Sequence, residues 1–156
     1  MGLSLAAVNQ RIREYQWPAG FHPPTFTEGY LEKGTKGGLC KKGCHVYMTS
    51  GDMMVFARHS VDLLLPLIGD VNDPLWRCWV AHVRYVRLLM QPQISLEEVA
   101  LLDQLIYEHH DLFLNACADA YGERLFKPKN HFACHFPTDI MNHGPVRAFG
   151  ACASKH

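Results

Sequence analysis

Apolar positions along the chain recur mostly at helical spacing, in stretches broken by proline and glycine. Leu5, Val8, Ile12 and Tyr15 share one face of a first helix, with Arg11, Arg13 and Glu14 outside it and Ser4 placed to cap its start. Pro18 and Gly20 end that pattern. Thr49 or Ser50 opens a second helix carrying Met53, Met54, Phe56, Ala57, Leu63, Leu64, Leu67 and Ile68, which Pro66 should kink and Gly69 close. Asp73-Pro74 supplies a cap followed by proline at the first helical position. Trp76, Trp79, Val80, Val83, Val86 and Met90 then mark the apolar side of a third helix, stopped by Pro92. Ser95-Leu-Glu-Glu98 reads as a capping box. It starts the longest helix, with Leu96, Val99, Leu102, Leu105, Ile106, His109, Leu112, Phe113 and Ala116 on its stripe and Tyr121-Gly122 at its end. Alternating strand patterns are weak throughout. The fold expected is mainly α, an irregular bundle of about five helices.

One segment breaks the rhythm. From residue 18 to residue 48 the sequence turns to glycine, proline and lysine, with Pro23-Pro24 near its start, and reads as a long flexible loop. The 156 residues are one domain's length, so 1–156 is expected to be a single helical domain. With 48% hydrophobic residues and a net charge of zero, neither a disordered tail nor a polybasic arm is indicated. Ten histidines would make the chain basic below neutral pH.

The longest apolar run, Val61 to Ile68, contains Asp62 and Pro66 and is too short to span a bilayer. No secretory signal is visible, and Met1-Gly2 lacks the Ser or Thr that myristoylation wants, since Ala6 stands there. Six cysteines without a signal then read as reduced thiols, which implies cytosol or nucleus and no membrane partner.

Four clusters carry candidate chemistry. Arg77, Arg84 and Arg87 recur on one side of the third helix and, with Lys127 and Lys129, could contact DNA phosphates; an ordinary solvated helix side is the competing account. Cys40, Cys44, His131 and His135 could supply soft ligands for zinc, with His45 and Cys134 beside them, although the spacing is not that of a standard finger. Tyr107-Glu-His-His-Asp111 is polar and dense. His109 lies on the apolar stripe, which favours a hydrogen-bonded core histidine, while His110 and Asp111 should face water. The Met53-Met54 pair and the tryptophans read as core. No dinucleotide fingerprint, phosphate loop, nucleophile elbow or paired-histidine zinc motif occurs, and no small-molecule cofactor is implied.

The most tightly specified stretch is Phe126-Lys-Pro-Lys-Asn-His-Phe-Ala-Cys-His-Phe-Pro137, continuing to Gly144-Pro145. Lys127-Pro128 favours an extended approach, Asn130 can cap a short helix, and Gly144-Pro145 stops it. His131 and His135, four apart, would share a face. This stretch resembles the K-P-K-H-H-F-x-x-H-Y-P and G-P motifs of a group of CACTA-like transposases of the DDE, RNase H-like type. Arg58-His59, Leu65-Pro-Leu-Ile-Gly-Asp70, Asp73-Pro-Leu-Trp76 and Ile106-Tyr-Glu-His-His110 fall in the order of that family's other blocks, so the resemblance runs from about Val8 onward.

The resemblance implies a chemistry that this stretch lacks. In the family, the Gly-Pro is followed by W-x-M-R-F-E-x-K-H, whose glutamate looks like the third carboxylate holding divalent cations, magnesium by implication, about the scissile phosphate. Here Gly150-Ala-Cys-Ala-Ser-Lys-His156 stands instead. Those residues can be written in codons that, with one base restored, read Trp-Cys-Met-Arg-Phe-Glu-Ala, so a frame slip is the expected cause. Asp52, Asp62, Asp70 and Asp73 look like helix starts or turns rather than catalytic acids.

The expectation is a truncated, catalytically incomplete transposase-derived fragment with residual DNA binding or self-association. By resemblance, Lys127, Pro128 and Pro137 shape the turn into the motif helix, His131 and His135 line its inner side, and Gly144-Pro145 directs the chain onward. A small zinc-stabilised binding module and a plain protein-interaction bundle are the alternatives.

Overall fold

A computed structural model describes residues 4–26, 50–117 and 128–145, and every regular element within them is helical. The mainly α expectation holds. The chain divides into two compact units, Met1–Val71 and Asn72–His156.

In the first unit α1 (Leu5–Glu14) packs on α2 (Ser50–Leu64), which closes in a 3-10 turn at Leu65–Leu67. That turn is the distortion expected of Pro66, which cannot donate a backbone hydrogen bond. Ser4 holds the N-cap position of α1, but its side chain makes no capping bond. The core is Ile12, Phe56 and Leu63, with Val8 and Tyr15 packed against it. Met53, expected in the core, is exposed. Asp62 lies within α2 rather than at a helix start.

Residues 18–26, read as the beginning of a flexible loop, are tied down. Trp17 donates from Nε1 to the Ile12 carbonyl at 2.8 Å. Its ring packs on Phe21 and Phe56, and Phe26 meets Phe56 edge-on. Asn9 clamps the segment with two bonds, donating to the Phe26 carbonyl at 2.7 Å and accepting from the Phe26 N–H at 2.8 Å. Aromatic burial outweighs the local preference of a Pro/Gly-rich sequence for open loop. The rest of that segment, with Cys40, Cys44 and His45, lies outside the described residues.

The second unit is built on α3 (Pro74–Leu89) and α4 (Leu96–Leu112), which pack along their lengths. Both starts are as the sequence foretells. Asp73 accepts from the N–H groups of Leu75 and Trp76 at 2.8 and 3.3 Å. Ser95 and Glu98 form the reciprocal capping box, at 3.2 and 2.8 Å. A π turn, Phe113–Cys117, follows α4 directly. Two short helices, α5 (Pro128–Ala133) and α6 (Phe136–His143), then return to the pair, with Ala133, Ile140 and Phe136 meeting the cluster around Leu102, Leu105 and Ile106.

Two details differ from expectation. The apolar side of α3 was read from Trp76 to Met90, yet Cys78, Ala81, Tyr85 and Leu88 are also buried and Met90 is exposed. Outside its arginine side the helix carries apolar residues in nearly every direction, so the buried ones could not be singled out from periodicity. The motif helix is two helices, not one. Pro137 has no N–H for the carbonyl four residues back, so the chain tightens to i→i+3 bonds at Cys134 and His135 before α6 begins. Asn130 falls inside α5 rather than capping it. Gly144 does end α6, at φ 84°, a conformation glycine tolerates best.

Candidate functional site, a histidine and cysteine cluster on α3, α4 and α5

Three of the sequence blocks singled out above, Asp73–Trp76, Ile106–His110 and the stretch around His131–Pro137, fall in the second unit, whereas Arg58-His59 and Leu65–Asp70 fall in the first. Cys78 and Tyr85 on α3 flank His82, about one helical turn from each, and all three reach His109 of α4. The stripe of α4 presents His109 to them. His109 Nδ1 lies 3.2 Å from the Cys78 carbonyl. A carbonyl can only accept, so Nδ1 carries the proton and donates. In return the Cys78 thiol, 3.4 Å from the same nitrogen, donates to the His109 carbonyl at 3.7 Å. His109 is thus the hydrogen-bonded core histidine that its place on the stripe suggests.

The rings around it form a continuous row. His82 lies 5.0 Å from His109 by ring centroid, Tyr85 meets His82 edge-on at 4.9 Å, and Trp79 stacks on the other side of His82 at 5.6 Å. His110 follows at 5.6 Å from His109. It does not simply face water: its Nδ1 lies 3.4 Å from the exposed Cys134 thiol just past α5, so it joins α4 to α5. His131 and His135 do share a face and meet edge-on at 5.1 Å, but both are exposed. Ala133, Phe136 and Ile140 take the inner side instead, because small and apolar groups fill it at lower desolvation cost.

Burial sets the electrostatics. It pushes the His82 imidazole down to about 4, with His109 adding to the effect. His109 is lowered by burial too, opposed by the Cys78 carbonyl, which favours the protonated ring. His110 is lowered by burial and then by His131. Burial, and secondarily Cys78, pushes the Tyr85 phenol up to about 12. All four groups are therefore neutral at pH 7, a row of uncharged donors and acceptors rather than a charged centre.

The basic candidates sit apart from this row. Arg77 and Arg84 are exposed on α3, and Arg87 is half-buried. At about 100° per residue the three lie within roughly 80° of one another. Arg77 Nη2 is paired with Glu108 Oε1 at 2.9 Å, both side chains being largely exposed. Lys127 lies outside the described residues, while Pro128 and Lys129 lie in α5. Three acidic groups of this unit act within or at the ends of their own helices. Asp73 caps α3, Glu98 completes the capping box, and Asp111 accepts from Asn115 at 2.9 Å. Among the described residues no group of three or more His, Cys, Asp or Glu side chains is arranged to hold a metal ion, and no helix is long and apolar enough to cross a membrane. Residues 146–156, where the ending departs from the transposase-like motif, lie outside the described residues.

Sequence reading missed His82, Cys78 and Tyr85. Their signal was present as polar or soft residues recurring through an otherwise apolar helix, opposite a histidine on the stripe of the next one. No family model, no curated protein and no solved structure matches this chain.

Proposed function

We propose that these residues form a helical brace of a transposase-related protein, catalytically incomplete by themselves, that contacts DNA weakly through the arginine side of α3. One observation carries the reading. Three blocks of the resemblance that are far apart in sequence, Asp73–Trp76, Glu108–His110 and His131–His135, belong to one unit, and residues within or directly after them are linked by the Arg77–Glu108, Cys78–His109 and His110–Cys134 contacts. Motifs that share a structural task are expected to converge in this way. Four acids of the unit support the same reading, since Asp73 and Glu98 serve helix caps, Asp111 pairs with Asn115 and Glu108 pairs with Arg77.

DNA contact rests on phosphate charge, and Glu108 already neutralises Arg77 in part. Binding should therefore be weak and strongly salt-dependent at neutral pH. Anisotropy titrations with a short duplex across a salt series test it. Glu108→Gln should tighten binding by releasing Arg77, whereas Arg84→Glu should weaken it and flatten the salt slope by about one or more. Absence of any salt-dependent binding would favour the protein-interaction reading. Magnesium-dependent nicking of plasmid by the purified chain would overturn the non-catalytic one.

A further inference from the structure

The α3–α4 seam contains an arrangement that the brace does not need. Two imidazoles from different helices are packed ring against ring, inside a sleeve of Trp79, Tyr85 and Phe113. Apolar side chains would fill the same space without sensitivity to protons. Because His109 commits its Nδ1 proton to the Cys78 carbonyl, only its Nε2 can take another. A proton taken up by either His82 or His109 then lies about 5 Å from the other ring, which disfavours a second charge there.

We infer that His82 and His109 form a proton-operated latch on the α3–α4 seam, closed while both rings are neutral and released as they charge. Among the described residues, the groups that face the latch do not supply a counter-charge. From α3 come Cys78, whose thiol donates to the His109 carbonyl, and Tyr85, whose phenol is neutral near pH 7, and from α4 comes His110. The acid next in sequence, Glu108, is held by Arg77 at 2.9 Å. From the turn after α4 comes Phe113, and from α5 His131, which acts on His110, with Cys134 beside it. Acidification therefore adds positive charge to a site already bordered by imidazoles.

The sign follows from burial. Both rings are harder to protonate folded than unfolded, so the unfolded chain binds more protons in the acidic window. The stabilisation is complete above the ordinary histidine value and is lost as pH falls below it.

Urea unfolding of the full chain between neutral pH and about pH 4.5 tests the latch, comparing wild type with His82→Phe/His109→Asn. Phenylalanine keeps the ring packing, and asparagine keeps a donor for the Cys78 carbonyl without a titrating group. The wild-type unfolding constant should rise by up to roughly tenfold per pH unit for each ring, and the double variant should lose that part of the rise. An unchanged pH slope in the variant would overturn the latch. Should the variant not fold, ring NMR of the wild type decides: a neutral His109 in the Nδ1–H form, resisting protonation with His82, upholds it. Two rings that charge at the ordinary histidine pH refute it.

Discussion

Single side chains in this protein act mainly by closing gaps in backbone bonding. Asn9 is the clearest case, since its amide serves both the N–H and the carbonyl of Phe26. Asn9→Ala would leave both backbone groups to find water, at a cost of about 1–3 kcal/mol. Asn9→Asp should be worse than its size suggests, because a carboxylate oxygen would face the Phe26 carbonyl that the amide nitrogen now contacts. Urea midpoints of the two variants check this, and equal stabilities for wild type and Asn9→Ala would refute it. None of this was legible in the sequence. Asparagine, phenylalanine and a Pro-Pro pair advertise a loop, and the contact that anchors it spans 17 residues. His109 was legible for the opposite reason, since its place on the α4 stripe depends only on helical periodicity.

Whole elements were readable wherever their ends are written locally. Asp73-Pro74 and Ser95-x-x-Glu98 specify helix starts through bonds spanning no more than three residues, and each bond is present. Replacing Ser95 or Asp73 with alanine should each cost about 1 kcal/mol, visible as a lower melting temperature. Serine at position 73 should recover most of that loss, whereas a merely electrostatic role for Asp73 would not permit such recovery. What the local code missed is which face an element buries. Cys78, Ala81, Tyr85 and Leu88 point into the unit because α4 lies there, and no single-helix pattern records the position of a neighbour. The motif segment shows the same limit. Pro137 was read as a shaping residue, but its division of the segment into α5 and α6 exposes His131 and His135 and turns Ala133, Phe136 and Ile140 inward.

At the scale of the molecule, protons act in two opposing directions. With zero net charge when histidines are neutral, the chain has little electrostatic pull on DNA at pH 7, and each of its ten histidines adds a positive charge on protonation. DNA affinity should therefore rise on mild acidification. Stability moves the other way, because the unfolded chain takes up protons that the buried seam refuses. For His82 the fall from 6.5 to about 4 corresponds to roughly 3 kcal/mol, fully present above pH 6.5 and lost towards pH 4. A loss of that size is a large fraction of the stability of a domain this small. Retention on duplex DNA at fixed salt should consequently climb as pH drops below 7, pass through a maximum, and collapse when helical circular dichroism is lost. The maximum separates the two effects: His82→Phe should shift the collapse to lower pH while changing the initial climb little. Affinity that falls steadily from pH 7.5, with helical signal intact, would mean that surface charge does not drive the contact and would remove the electrostatic basis of the proposed DNA face.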